Sequence, residues 1–381
     1  MKLDAKQSEY FNTIKPVYYF YRRQAVKIFF KIVDSIGFYF FTPGLRIVKP
    51  VAKILLVNLG GAGDLIISEP LLSALADFSG GKVDLLCAPH REDVLLDHPS
   101  LGKIWNCRPS WLEGKKKFLG SLPGLWRLSW VLRREKYSLA VDVKGDPLVI
   151  LLLWFLGIKK IIGFSNGGLG FLLTHPFSQP DKQYRHKIDL VLTVALSENF
   201  ENYNRPPHLS VAAGFSIPLQ ESSRARVAVH LGASVQARRW PLENWVELLS
   251  ALSGKYDIVI IGESKDADDL FSAAPELCQK CYNLSGRTWR ETAQIIKQSA
   301  VFIGANSGPA HLAAALGRPV ISIFSAANDP LVWAPPGADV LVADPVCANC
   351  ELIYCSHQSC LRTITPPMVI SHLTEMENLK K

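Results

Sequence analysis

The chain has 381 residues, 48% hydrophobic and 20% charged, which excludes a disordered segment, a collagen-like repeat and a small disulfide scaffold and predicts two or three domains. Lysine and arginine outnumber the acids 42 to 34, but the excess is local: residues 1–53 hold ten cations and three acids, a net of +7, and the other 328 residues carry +1. A nearly neutral body argues against a nucleic-acid enzyme, and a basic head predicts a surface interaction of its own.

The opening MKLDAKQSEY lacks an apolar h-region and a small-residue cleavage site, so no signal peptide is expected and a reducing cytoplasm is the default. Residues 17–41, VYYFYRRQAVKIFFKIVDSIGFYFF, set Arg22, Arg23, Lys27 and Lys31 among aromatics at helical spacing, before Pro43, Gly44 and Pro50 close the segment. This pattern fits an interfacial membrane helix, or a helix packed on the body. No charge-free apolar run is long enough to span a bilayer; the longest is Pro147–Ile158.

From Val51 short apolar runs alternate with helical stretches. Strands are expected at 53–58, 82–89, 103–107, 139–143 and 161–164, and helices at 65–78, 126–135, 147–156 and 186–197. Residues 199–225, with Pro206, Pro207, Gly214 and Pro218, break the rhythm and read as a linker. A second series follows, with strands at 226–232, 257–262, 300–304 and 319–324 and helices at 241–252, 265–274, 288–298 and 308–316. A closing helix over 367–379 is expected to pack back across the domains. Alternation of this kind predicts two α/β domains, each a doubly wound parallel sheet, with ligands at the carboxyl ends of strands and a site in the cleft between. The expected division is an N-terminal extension over 1–50, a first domain over 51–205, a second over 225–365 and a terminal helix over 366–381.

Three loops at strand ends carry the candidate chemistry. Gly60, Gly61, Gly63 and Asp64 follow the first strand. Ala62 and Ile66 break the dinucleotide fingerprint, and no G-x-x-x-x-G-K is present. What remains is a tight loop presenting a carboxylate, either a helix cap or a catalytic group. Asn306, Ser307, Gly308 and Pro309 join a strand to a helix whose N terminus suits a phosphate, with His311 in its first turn. Ser307 is a candidate cap for that helix. Arg238 and Arg239 end another strand, where guanidinium forks suit phosphate. Glu263 ends the next, placed to accept sugar hydroxyls or to cap a helix.

Four of the eight cysteines lie close together near the C terminus: Cys347, Cys350, Cys355 and Cys360. In a reducing compartment they read as a metal site or as free thiols. Their spacing suits a closed, structural zinc site, with His357 as a spare ligand.

The stretches KILLVNLGGAGDLIISEPLLSAL, VDVKG at 141–145, HLGASVQARRWPLENWVELL, FIGANSGPAHLAAALGRPVISIF and the terminal cysteines occur in the order found in glycosyltransferase family 9, the lipopolysaccharide heptosyltransferases and their relatives. The chain resembles that family over about residues 52–370; residues 1–50 lie outside the resemblance. It implies the GT-B fold, two facing Rossmann-like domains. It further implies inverting transfer of a sugar from a nucleotide donor, with ADP-heptose first, to a lipid-linked saccharide of lipopolysaccharide type. No cofactor is implied for catalysis. An enzyme peripheral to the inner face of the cytoplasmic membrane follows from such an acceptor. By resemblance Asp64 is the general base. The Ser307–Gly308 backbone, His311 and Arg238 hold the diphosphate, and Glu263 holds the nucleoside. The family commonly has aspartate where this chain has Asn306, which exchanges a charge for a donor. Two competing readings come from other classes: an inactive relative serving as a binding or assembly module, and a sugar-nucleotide epimerase of the GT-B fold.

Overall fold

The computed structural model describes residues 24–40, 53–108, 115–165, 167–177, 205–211, 222–342, 350 and 352–378. The helix expected at 186–197 lies outside them, as does Cys347. In chain order the elements are α1 (Gln24–Phe40), β1 (Ile54–Asn58), α2 (Ala62–Ile67), α3 (Glu69–Ser79), β2 (Val83–Cys87), β3 (Leu101–Asn106), α4 (Lys115–Arg134), β4 (Leu139–Asp142), α5 (Pro147–Phe155), β5 (Lys160–Phe164) and β6 (His175–Phe177). The second domain contributes β7 (Arg226–His230), α6 (Leu242–Leu252), β8 (Asp257–Ile261), α7 (Ser264–Ala273), β9 (Cys281–Asn283), α8 (Trp289–Lys297), β10 (Val301–Ala305), α9 (Gly308–Ala315), β11 (Val320–Phe324), α10 (Pro330–Trp333) and β12 (Asp339–Val342). The chain closes with α11 (Ser359–Arg362) and α12 (Pro366–Asn378).

The strands form two six-stranded sheets, ordered β3-β2-β1-β4-β5-β6 and β12-β11-β10-β7-β8-β9, with all pairings parallel. Central strands such as ILLVN and VFIGA are buried along their whole length, because helices cover both sheet faces and each strand is apolar on both sides. The order reverses between β1 and β4 in one sheet and between β7 and β10 in the other. Each reversal opens a crevice at the carboxyl ends of those strands, and the two crevices set the site described below.

Differences from the expected elements are local. The helix expected at 65–78 starts at Ala62 and divides at Ser68, since Pro70 has no N–H to continue the ladder. Three edge strands, β6, β9 and β12, were not expected. α12 packs on α6 and β11 of the second domain, with Glu377 accepting from Lys255 Nζ at 2.8 Å and Tyr256 Oη at 2.7 Å. α1 lies on the first domain: Gly170 N donates to Asp34 Oδ1 at 3.1 Å, and Phe38 meets Phe171 edge-on with centroids 6.3 Å apart. The body-packing alternative therefore describes one side of α1. Among the described residues no helix is long and apolar enough to cross a membrane.

The domains are tied where the chain passes between them. Leu209 N donates to Ala315 O at 2.8 Å, and Arg290 pairs with Asp97. Glu69, fully buried, accepts from Arg205 at 2.7 and 2.9 Å, from the His208 N–H at 2.8 Å and from Ser73 Oγ at 2.7 Å, with His98 Nε2 3.0 Å away. Burial alone would raise this carboxyl, but the hydrogen bonds from His98, Arg205, His208 and Ser73 outweigh it and hold the pKa down to about 2, from 4.5. A depressed carboxylate stabilises the fold above its unfolded pKa and loses that contribution as pH falls through the folded value. Acid unfolding should therefore remove about 3 kcal/mol at this residue below pH 4.5. In denaturant titrations at stepped pH, Glu69→Gln is expected to lose stability at neutral pH and to flatten the acid slope; an unchanged slope would show that Glu69 is not its source.

Candidate functional site

The crevice after β1 and β4 is built by two loops. In the first, Asn58 at the end of β1 accepts from Gly60 N through Oδ1 at 3.0 Å and donates through Nδ2 to Asp64 O at 3.0 Å and Ser68 Oγ at 2.8 Å. This brace folds the glycine loop back over its own strand. Asp64 Oδ2 accepts from Gly61 N at 2.9 Å, so the carboxylate does cap α2. Its Oδ1 lies 2.7 Å from Lys144 Nζ, from the second loop. The Asp64 side chain is partly exposed and lines the cleft.

The Lys144 loop is shaped by Asp142, which is buried and accepts from Lys144 N at 3.0 Å and Gly145 N at 3.1 Å. Burial raises Asp142 to about 7, against the opposing pull of these N–H groups. Gly145 has φ +70° and a Cβ there would sit 2.4 Å from Phe164 O, so only glycine makes this turn.

Across the cleft, the crevice after β7 and β10 carries Arg238 and Asn306–Ser307. Arg238 is the last residue of a short 3-10 turn, Gln236–Arg238, and Arg239 follows it. A C-terminal segment holds that turn in place: Ala237 N donates to Ile353 O at 3.1 Å, Cys355 N to Gln236 Oε1 at 2.9 Å, and Gln358 Nε2 to Gln236 O at 3.1 Å and Arg239 O at 2.9 Å. Arg239 pairs with Asp266 at 2.6 Å. Arg238 stays at the cleft wall with Nε buried and, among the described residues, without a hydrogen-bond partner. Burial lowers its pKa, and the charge of Asp64 partly restores it. Asn306 Nδ2 is a second buried donor in the same condition.

Ser307 stands at the N-cap of α9 but makes no side-chain cap, contrary to its expected role. Its Oγ turns to His230 Nδ1, 3.1 Å away. His230 ends β7 deep in the cleft floor, and desolvation lowers its pKa to about 4, which keeps the ring neutral. The first turn of α9 therefore presents its N–H groups without a side chain across them. Gly308 and Gly63 face one another closely: a Cβ on Gly308 would come within 3.3 Å of Gly63 N and 2.9 Å of Trp289, and one on Gly63 within 3.2 Å of Gly308 Cα. His311 is buried beside Gly63. Glu263 stands before α7 at the cleft edge with its side chain exposed and making no cap.

The result is one cleft of about 440 Å³ that brings together Gly61, Gly63, Asp64, Arg238, Glu263, Asn306, Ser307, Gly308 and His311; Gly60 lies behind it, against Asp64 and Lys144. Arg91, Arg239 and Arg287 add cations to its wall. Sequence reasoning missed Lys144 as a site residue, although it sits at the carboxyl end of an expected strand like the other candidates. It also missed His230, whose signal was a histidine inside an otherwise apolar strand, and Trp289.

Among the described residues no cysteine lines the cleft. Cys360 is buried with its sulfur accepting from Ala326 N at 3.5 Å, and the Cys355 sulfur accepts from Gln358 N at 3.4 Å. Among the described residues no group of three His, Cys, Asp or Glu side chains is placed to hold a metal ion; Cys347, one of the four expected ligands, lies outside them.

The family model of glycosyltransferase family 9 (heptosyltransferase) matches residues 125–355. Lipopolysaccharide heptosyltransferase 3 of Escherichia coli is 24% identical over 288 residues, 72% of this chain and 83% of the relative. Lipopolysaccharide heptosyltransferase 2 of E. coli K12 is 26% identical over 296 residues, 71% of this chain and 82% of the relative. Among solved structures, the E. coli ADP-heptose lipopolysaccharide heptosyltransferase II superposes with a TM-score of 0.70 at 20% identity, over 86% of this chain and 99% of that one, which establishes the two-domain GT-B fold.

Proposed function

The chain belongs to glycosyltransferase family 9, and from that premise we propose that it moves a heptose from ADP-heptose to a lipid-linked saccharide of lipopolysaccharide type, at the inner face of the cytoplasmic membrane. The observation that carries the reading is the pairing of two unlike crevices. One presents a carboxylate. The other presents an uncapped helix N terminus with Arg238 Nε and Asn306 Nδ2 as buried donors that lack partners among the described residues. Buried donors without partners cost stability unless a ligand satisfies them, and cation plus helix N terminus suits a diphosphate.

In this reading the donor's diphosphate lies against the first turn of α9 and Arg238, with Glu263 accepting from hydroxyls of the nucleoside. The acceptor hydroxyl approaches from the first domain. Asp64 takes its proton as the oxygen attacks the anomeric carbon, the bond to the diphosphate breaks, and the nucleoside diphosphate leaves with the bond's electron pair. Arg238 and the α9 N–H groups meet the charge that develops there. Lys144 orients the carboxylate toward the cleft. Neutral His230 fixes the Ser307 hydroxyl away from the helix terminus.

The test is release of ADP from ADP-heptose, measured with and without a lipid-linked saccharide acceptor. Acceptor-dependent release supports the reading. Tight binding without release points to the binding-module class, and conversion of the donor without acceptor to the epimerase class. A donor product present at about 100 times its Kd should add about 2.7 kcal/mol to the unfolding free energy, so ADP is expected to raise Tm where UDP does not.

A further inference from the structure

We propose that α1 and the outer faces of α4 and α5 form one continuous surface that docks on an anionic lipid bilayer; that a bilayer is the occupant rests on the lipid-linked acceptor read above. On α1, Ile28, Phe29, Ile32, Ile36 and Tyr39 are 55–83% exposed. At about 100° per residue they fall within one third of the helix circumference. The opposing stripe, Phe30, Asp34, Gly37 and Phe38, is the one that packs on residues 168–171. The helix is therefore anchored to the body on one side and apolar toward the outside on the other.

A second apolar field lies on α4 and α5: Trp126, Trp130, Trp154 and Phe155 are 46–67% exposed. Trp126 and Phe155 have ring centroids 6.3 Å apart, which joins the two helices into one patch. α5 and α1 both rest on the same 3-10 turn, Gly170–Leu172, so the two fields are neighbours on one side of the first domain.

Charge selects the occupant. Among the described side chains of α4, Arg127, Arg133 and Arg134 are exposed cations and none is an acid. The Arg134 guanidinium lies 3.2 Å from the centroid of the Trp130 ring, and that of Arg133 6.0 Å from Phe155. Lys31 lies on the solvent side of α1, whose one carboxylate, Asp34, is turned into the body. Aromatic side chains with arginines beside them and no facing acids match the headgroup region of an anionic bilayer. The surface also adjoins the acceptor crevice: α5 is capped by Asp146, two residues after Lys144, and Gly167 lies against Gly145 while its neighbour Gly168 lies against Phe30. Docking by this surface would hold the Asp64 side of the cleft next to the bilayer.

The experiment is co-sedimentation of the full chain with phosphatidylglycerol-rich vesicles and with phosphatidylcholine vesicles. Two surface variants are compared, Phe29→Ser with Ile32→Ser, and Trp126→Ser with Trp154→Ser. The wild type is expected to bind the anionic vesicles, less so as salt rises, and each variant is expected to lose at least about tenfold in partitioning with Tm unchanged. Wild-type binding by either variant overturns the proposal, because the surface would then not be continuous. A wild type that ignores vesicles but forms a dimer dissociated by these substitutions overturns it in favour of a second copy. ADP release with a soluble acceptor separates the two readings: vesicle docking without any sugar transfer leaves this inference standing and removes the heptosyltransferase reading, and transfer without docking does the reverse.

Discussion

Replacing Asp64 by asparagine is expected to lower kcat for sugar transfer by about two to four orders of magnitude, the usual scale for a positioned general base, with donor Kd nearly unchanged. Asparagine is the informative choice because the wild-type carboxylate has two structural duties as well, accepting from Gly61 N and pairing with Lys144. The amide oxygen can still accept from Gly61 N, so the loop keeps its cap while the proton acceptor is lost. Single-turnover rates with saturating donor, alongside calorimetric titration with ADP, would check this. If Asp64→Asn turns over normally and Asp64→Ala merely lowers Tm, the residue is a cap and no more. Lys144→Met should fall between: it removes the partner that holds the carboxylate, and a lowered kcat with unchanged donor affinity is the expected split.

The second large effect concerns the opposite wall. Arg238→Ala should weaken ADP and donor binding about 10- to 150-fold, corresponding to about 1.5–3 kcal/mol for hydrogen bonds to a charged group, and it should lower kcat further because the diphosphate gains charge as it leaves. Arg238→Lys is expected to recover part of the affinity but not all of it, since an ammonium cannot reproduce the planar fork. Unfolding measurements guard the interpretation. Removing a half-buried guanidinium whose Nε lacks a partner among the described residues costs the apo fold little, so a large fall in Tm without ligand would mean that Arg238 is a structural strut. Calorimetry with ADP, in which the sugar is absent, isolates the diphosphate contact; undiminished ADP affinity would remove Arg238 from the site.

Much of the architecture was legible from the chain because its central strands are apolar on both faces and only four or five residues long. ILLVN, VDLLC, DIVII and VFIGA can be read as buried parallel strands without further context. The edge strands β6, β9 and β12 carry no such signature. HPF and CYN are three residues each, and DVLV is half-exposed, so pairing with a neighbouring strand and not side-chain pattern decides their conformation. α4 was expected to begin near Trp126 but extends back to Lys115 through Gly120, Pro123 and Gly124, residues that punctuate a helix locally.

Composition and local pattern by themselves determined the α/β class with its two sheets, the basic and aromatic head, and the loops bearing Asp64, Arg238, Glu263 and Asn306–His311. Each of these is a short-range property: periodicity, a glycine run after a strand, or a charge beside a helix start. The tertiary structure decided which loops meet. Strand order reverses between β1 and β4 and between β7 and β10, and those reversals bring Lys144 to Asp64, 80 positions away in the chain, and His230 to Ser307, 77 away. It also decided that Ser307 leaves its helix uncapped, that the C-terminal segment braces the arginine turn through Gln358, and that α1 buries Asp34 while facing its apolar stripe outward. All of these depend on which surfaces the two sheets bury against their helices, and long-range packing of that kind leaves no trace in local spacing.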